Sequence, residues 1–144
     1  MIDDPRLVRL GRALERRPAA RQPREPGATE AAVSLVLRPR DELELLLIKR
    51  AENERDPWSG HMALPGGRRD PTDDDLQATA TRETFEETSV PLVRTGTLLG
   101  ALDEVLPRSR ERPRILIAPY VFGVPADTTA STDAHAADAV LWVP

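Results

Sequence analysis

Residues 67–90 read GRRDPTDDDLQATATRETFEETSV, and the rest of the chain is best read outward from them. Between positions 70 and 87 stand Asp70, Asp73, Asp74, Asp75, Glu83, Glu86 and Glu87 against a single base, Arg82. The pattern predicts a helix from Thr72 to about Thr88, with Thr72 or Asp73 as N-cap and acids in the first turn, where the helix dipole favours them. An acidic run is ordinarily a solvated helix face. Geometry argues against that here: at about 100° per residue, Glu83, Glu86 and Glu87 span an arc of about 100°. Leu76 and Ala80 lie within or beside the same arc. The carboxylates therefore occupy the flank that should face the protein, and neighbours at i, i+3 and i+4 repel one another. A cation relieves that conflict, and hard oxygen donors converging on one point suit Mg²⁺ or Mn²⁺.

Directly upstream comes Leu64-Pro65-Gly66-Gly67-Arg68-Arg69. The two glycines allow a sharp turn and a close approach to the helix, and the arginines offer cationic donors to phosphate. A glycine turn alone says little; next to a carboxylate-bearing helix it says much more. Further out, AAVSLVL (31–37) and LELLLIKR (43–50) read as strands joined by a turn, RPRDE. Residues 51–67 are loop-like. LLGALDEVL (98–106), RILIAPYVFGV (114–124) and AVLWV (139–143) look like further strands. Strand pairs around one strong helix indicate an α/β fold without a regular parallel alternation.

Residues 1–30 differ in character. Leu7, Val8, Leu10 and Leu14, following Pro5, predict a short amphipathic helix ending near Arg17. Pro18, Pro23, Pro26 and Gly27 then mark a Pro/Arg-rich linker, expected to be a solvated arm, with substrate contact or dimer packing as the other reading. The chain thus divides into an N-terminal helix and linker (1–30) and a single folded domain (31–144). Its 144 residues suffice for one core, and a formal net charge of −4 does not suggest a nucleic-acid binder. No apolar run approaches the roughly 20 residues of a membrane span, and no signal peptide is evident. The absence of cysteine excludes disulfides and thiolate chemistry and fits a cytoplasmic protein.

Residues 67–90 resemble the Nudix box, Gly-x5-Glu-x7-Arg-Glu-(apolar)-x-Glu-Glu-x-Gly-(apolar), with Arg82-Glu83-Thr84-Phe85-Glu86-Glu87 matching its centre without gaps. The resemblance implies a Nudix-type α/β/α sandwich with a mixed sheet and a catalytic helix following the Gly-Gly loop. It assigns metal binding to Glu83, Glu86 and Glu87, and to Arg82 the orienting of the last glutamates by ion pairing. Leu46-Leu47-Ile48-Lys49-Arg50-Ala51, Arg55, Gly60 and Leu64-Pro65-Gly66-Gly67 are similar to the extra signature of the coenzyme A diphosphatase branch. That likeness implies hydrolysis of coenzyme A or an acyl-CoA, with Arg50, Arg55, Gly66, Gly67 and Arg68 at the substrate. Dimerisation is a further expectation.

The chain departs from these patterns at several places. The box glycine is Gly67, one residue early; Asp73 or Asp74 replaces the first glutamate; Ser89 stands where glycine is expected. A left-handed C-cap at Ser89 would cost roughly 1 kcal/mol. In the upstream signature Ile48 replaces Thr, Ala51 replaces Ser, and four residues rather than three separate Arg55 from Gly60. Family members continue beyond a segment like Leu141-Trp142-Val143-Pro144 into a last helix, so a helix covering the sheet is expected to be missing, leaving apolar surface. The general base is open between Glu86, Glu87 and a loop glutamate such as Glu104. His61 is read as a loop residue or a phosphate contact, Trp58 as packing or an adenine stack, and His135 as exposed. ADP-sugars, dinucleoside polyphosphates and oxidised nucleotides are the rival substrates; a Nudix-fold binding module without turnover, or a fragment, are the readings outside the enzyme class.

Overall fold

The computed structural model describes residues 2–50, 61–108, 114–132 and 139–144. Seven strands build one mixed sheet: β1 (Thr29–Pro39), β2 (Leu43–Lys49), β3 (Met62–Ala63), β4 (Gly66–Arg68), β5 (Thr97–Ala101), β6 (Ile115–Gly123) and β7 (Ala139–Val143). The path runs β3-β2-β1-β6-β5, with β4 paired to β1 and β7 to β2. Among the described residues only β1 and β6 run parallel, from Thr29↔Ile115 to Leu37↔Gly123; the other pairings are antiparallel.

Strand alternation sets the layers. In β1, Ala32, Ser34, Val36 and Arg38 are buried on one face, as are Leu116, Ala118 and Phe122 of β6. Two apolar clusters form there. One joins Ala32, Leu116 and Ala118 to Leu76 and Ala80 of helix α2 (Leu76–Thr88). The other joins Val36, Leu46 and Phe122 to Val90 and Leu92, at the start of helix α3 (Leu92–Thr95).

Helix α1 (Pro5–Arg16) forms where the spacing of Leu7, Leu10 and Leu14 predicts it, with Asp4 as N-cap. It packs on the opposite face, Leu7 against Gly123 and Leu14 against Gly100. Helix α1 thus covers part of that face, while Ile115 and Leu141 are exposed. Residues 20–24 are likewise not a free solvated arm. The Ala20 N–H donates to Asp103, the Gln22 N–H to Glu104, and Arg24 binds Glu104 with both terminal nitrogens.

Three local expectations change. Gly66-Gly67 is not a turn but strand β4, with Ala32↔Gly67 and Val33↔Gly66 in register. β5 ends at Ala101 after a register shift between Leu98 and Gly100, and beyond it Val105 forms only an isolated bridge with Ile117. Helix α2 begins at Leu76 rather than Thr72, capped by Asp75, whose carboxylate accepts the Ala78 N–H at 2.8 Å. The reason is local competition: the Asp70 carboxylate accepts from both the backbone and the hydroxyl of Thr72, holding 70–73 in a turn.

The expected left-handed C-cap is present. Ser89 has φ 62° and ψ 13°, and is the only non-glycine with positive φ among the described residues. Ser89→Gly relieves that strain at some cost in unfolded-chain entropy. The expected net gain is up to about 0.5 kcal/mol, a rise in Tm of roughly 1–2 °C, measurable by thermal unfolding.

Candidate active site

The buried face of α2 consists of Leu76, Thr79, Ala80, Thr84 and Thr88. Glu83 and Glu87 sit at its margin toward β4, and Glu86 one step further out, its side chain 54% exposed against 20% for Glu83. Glu83 and Glu87 therefore lie on the flank toward the sheet, as the wheel geometry predicts, whereas Glu86 points into solvent.

Glycine at position 67 is what lets the helix come this close. A Cβ there would lie 2.5 Å from Glu83 Cδ and 2.7 Å from both carboxylate oxygens. Its neighbour Gly66 donates its N–H to Glu87 Oε1 at 2.8 Å. The close-approach part of the glycine expectation holds, although the turn does not.

Arg82 gathers the acids. Its Nε and Nη2 bind Asp73 Oδ1 and Oδ2, each at 2.9 Å. Its Nη1 lies 3.0 Å from Glu83 Oε1 and 3.2 and 3.3 Å from the two oxygens of Glu86. Nη2 also donates to the Arg68 carbonyl at 3.2 Å, tying the helix to β4. Asp73 was missed as a site residue. Its carboxylate also accepts the Asp70 N–H and the Thr79 hydroxyl, and it is buried. The available signal, an acid near the first-glutamate position of the box, was absorbed by reading Asp73 as an N-cap.

The electrostatics follow from these contacts. Hydrogen bonds from Arg82 hold the Asp73 carboxyl far below its ordinary range, and Asp73 in turn raises the Arg82 guanidinium. Burial pushes Glu83 up, opposed by Arg82. Glu87 is pushed up to about 7, first by burial and further by the charges of Glu83 and Glu86, while the Gly66 N–H and the Arg50 charge oppose the rise.

Among the described residues, no three acidic side chains enclose a common point as they stand. Two of them nonetheless share one cation already: Glu83 and Glu86 meet at Arg82 Nη1. With Glu87 alongside, the donor set is carboxylate oxygen throughout, the chemistry a hard divalent cation takes. The residues fit such an ion.

Arg50 follows β2, its side chain exposed and its N–H donated to the His61 carbonyl at 2.9 Å; its charge bears on Glu87. Arg68 ends β4 with an exposed side chain. Arg55, Gly60, Trp58 and His135 lie outside the described residues. Glu104 is unsuited as a base: Arg24 and the Gln22 N–H occupy its carboxylate, and chiefly Arg24 lowers its pKa.

Known proteins share parts of this sequence and its fold. An uncharacterized protein of Schizosaccharomyces pombe is 44% identical over 84 residues, covering 56% of this chain and 26% of that protein. The Nudix hydrolase NudL of Yersinia pestis, itself uncharacterized, is 44% identical over 61 residues, covering 42% of this chain and 30% of NudL. The matches thus span less than a third of either relative. A solved Ap4A hydrolase from C. elegans superposes with a TM-score of 0.66 at 18% identity, covering 81% of this chain and 80% of that one, a likeness of fold. The mixed sheet with α2 packed on it is the Nudix fold. The model of the NUDIX domain matches residues 28–144, and the chain belongs to that family.

Proposed function

We propose that this chain is a metal-dependent hydrolase that cleaves the diphosphate linkage of a nucleoside diphosphate joined to a further group, with coenzyme A or an acyl-CoA as substrate. The observation that carries this reading is the placement of Glu83 against Gly67 and of Glu87 on the Gly66 N–H, with Glu83 and Glu86 already sharing one cationic nitrogen. Glu83, Glu86 and Glu87 would hold Mg²⁺ or Mn²⁺. A divalent ion there supplies positive charge to the diphosphate oxygens and acidifies a bound water.

The chain's own residues do the rest. Asp73 and Arg82 orient Glu83 and Glu86, and the Gly66 N–H orients Glu87. Arg50 and Arg68, with Arg55 from the upstream signature, would balance charge on the phosphoryl oxygens. With Glu104 committed elsewhere, Glu86 or Glu87 takes the proton from the attacking water. Hydrolysis adds OH to one phosphorus and H to the leaving phosphate. The coenzyme A reading rests on the residues from Leu46 to Asp73 that are similar to that branch. Hydrolysis of another nucleotide diphosphate, such as a dinucleoside polyphosphate, is the second reading, favoured by the likeness of fold to an Ap4A hydrolase. An inactive binding module gains nothing from three crowded carboxylates.

The test is product release from coenzyme A, ADP-ribose and NADH with Mg²⁺ or Mn²⁺, wild type against Glu86→Gln. Formation of 3′,5′-ADP and 4′-phosphopantetheine by the wild type alone supports the full reading. Cleavage of a different diphosphate keeps the reaction class and removes the coenzyme A assignment. No cleavage of any of them by a folded protein overturns the enzyme.

Proton competition gives a second prediction. A carboxylate ligand must be ionised, and Glu87 is pushed up to about 7. Metal affinity is therefore expected to rise as pH increases to about 7 and to level off above it, with about fivefold lost between pH 7 and 6. Titrating the Tm with Mn²⁺ at pH 6, 7 and 8 checks this; a pH-independent midpoint removes Glu87 from the ligand set.

A further inference from the structure

The buried face of α2 carries little apolar bulk. Of Leu76, Thr79, Ala80, Thr84 and Thr88, only Leu76 is a large hydrophobic side chain. Apolar packing sets the height of a helix above a sheet well, but four small or hydroxylated residues resist its rolling about its own axis only weakly. Roll matters here, because carboxylates about 5 Å from the helix axis move by about 1 Å for a 10° rotation. Metal–ligand distances tolerate only about 0.2 Å.

One buried polar contact resists that roll. Thr84, next to Glu83, donates its hydroxyl to Ser34 Oγ at 2.8 Å, and both residues are fully buried. Ser34 passes its own proton toward the Ala80 carbonyl, one turn back along α2, at 3.3 Å. Its main chain reaches the other wall of the site: the Ser34 N–H donates to the Pro65 carbonyl at 2.9 Å. Pro65 precedes Gly66, whose N–H holds Glu87. Ser34 is therefore bonded through its side chain to the helix that carries the glutamates and through its backbone to Pro65, the residue that leads into the strand they face.

We propose that Ser34 and Thr84 are positioning residues: their hydroxyl pair fixes the roll of α2, and with it the separation of Glu83 and Glu87 from β4, at the value that binding of the divalent ion requires. Gly67 limits roll toward β4, since the Glu83 carboxylate already fills the space a Cβ would need. The hydroxyl pair limits roll the other way. This inference rests on the metal-site reading above.

Two substitutions at one position separate the hydroxyl from the shape. Thr84→Val keeps the volume and loses the donor; Thr84→Ser keeps the donor and loses a methyl group. The readout is the Mn²⁺ midpoint, from Tm against Mn²⁺ concentration and from calorimetric titration of the full chain. Thr84→Val is expected to raise the midpoint about tenfold, the effect of losing a partner that orients a ligand. Thr84→Ser should stay within about twofold of wild type even though it melts lower. Ser34→Ala should reproduce the Thr84→Val shift, and it carries the test if the valine variant does not fold. An unchanged midpoint in folded Thr84→Val or Ser34→Ala overturns the proposal, as does an equal shift in Thr84→Val and Thr84→Ser. If the wild type itself shows no Mn²⁺ response, the metal-site reading fails first and the positioning role falls with it.

Discussion

Glu87→Gln is expected to leave a folded protein that neither gains stability from Mn²⁺ nor turns over a diphosphate substrate, with activity down on the order of 10³-fold. Glu87 is the most constrained of the three carboxylates: Gly66 fixes one oxygen and burial raises its pKa to about 7. The amide keeps the shape and can still accept the Gly66 hydrogen bond, so the fold should survive while the ionic ligand is gone. The sign of the stability effect is informative. A glutamate whose folded pKa exceeds its unfolded value of 4.5 adds stability when protonated and loses it as pH rises from 4.5 through 7. Such a shift is worth roughly 3 kcal/mol, reduced to about 1–2 kcal/mol by partial solvent contact. Metal-free wild type should therefore melt lower at pH 8 than at pH 5.5 by several degrees more than Glu87→Gln does. A variant that still responds to Mn²⁺, or that shows the same pH dependence as the wild type, removes Glu87 from the site.

The distribution of these residues explains why the helical spacing of the candidate site was legible while parts of the frame were not. Glu83, Glu86 and Glu87 obey helical spacing, and their crowding on a flank shared with Leu76 and Ala80 is a conflict that sequence alone exposes. The strands at 29–39, 43–49 and 115–123 are long apolar runs that period and composition reveal. The role of Gly66 and Gly67 was only half legible. Glycine signals that something comes close, but whether the backbone turns or extends depends on β1, more than 25 residues away in sequence, offering a ladder. The N-terminal arm was misread for a similar reason: its prolines describe the local chain, whereas its docking depends on Asp103 and Glu104 far along the sequence. The start of α2 was lost to side-chain competition within 70–75, where any of four aspartates is a plausible cap and only Asp75 serves.

That competition also hides the residue whose loss should cost the most stability. Asp73→Asn is expected to destabilise the protein by about 3 kcal/mol, a fall in Tm of about 10 °C. Asp73 is buried and accepts four hydrogen bonds: from Arg82 Nε and Nη2 at 2.9 Å each, from the Asp70 N–H at 2.9 Å and from the Thr79 hydroxyl at 2.8 Å. Every partner is a donor, so the NH₂ of asparagine must point at one of them, and Arg82 loses its main counter-charge. Freed from Asp73, the guanidinium can turn fully onto Glu83 and Glu86, neutralising the carboxylates the metal needs; Mn²⁺ affinity should fall together with stability. The pH dependence identifies the cause. A depressed carboxyl contributes stability above its unfolded pKa of 3.8 and loses it as pH falls toward the folded value. The gap in Tm between wild type and Asp73→Asn should therefore be full at pH 6 and narrow below pH 4. A gap that is constant down to pH 3 would mean that the side chain acts through shape alone, and Arg82 would then need another explanation for its hold on Glu83 and Glu86.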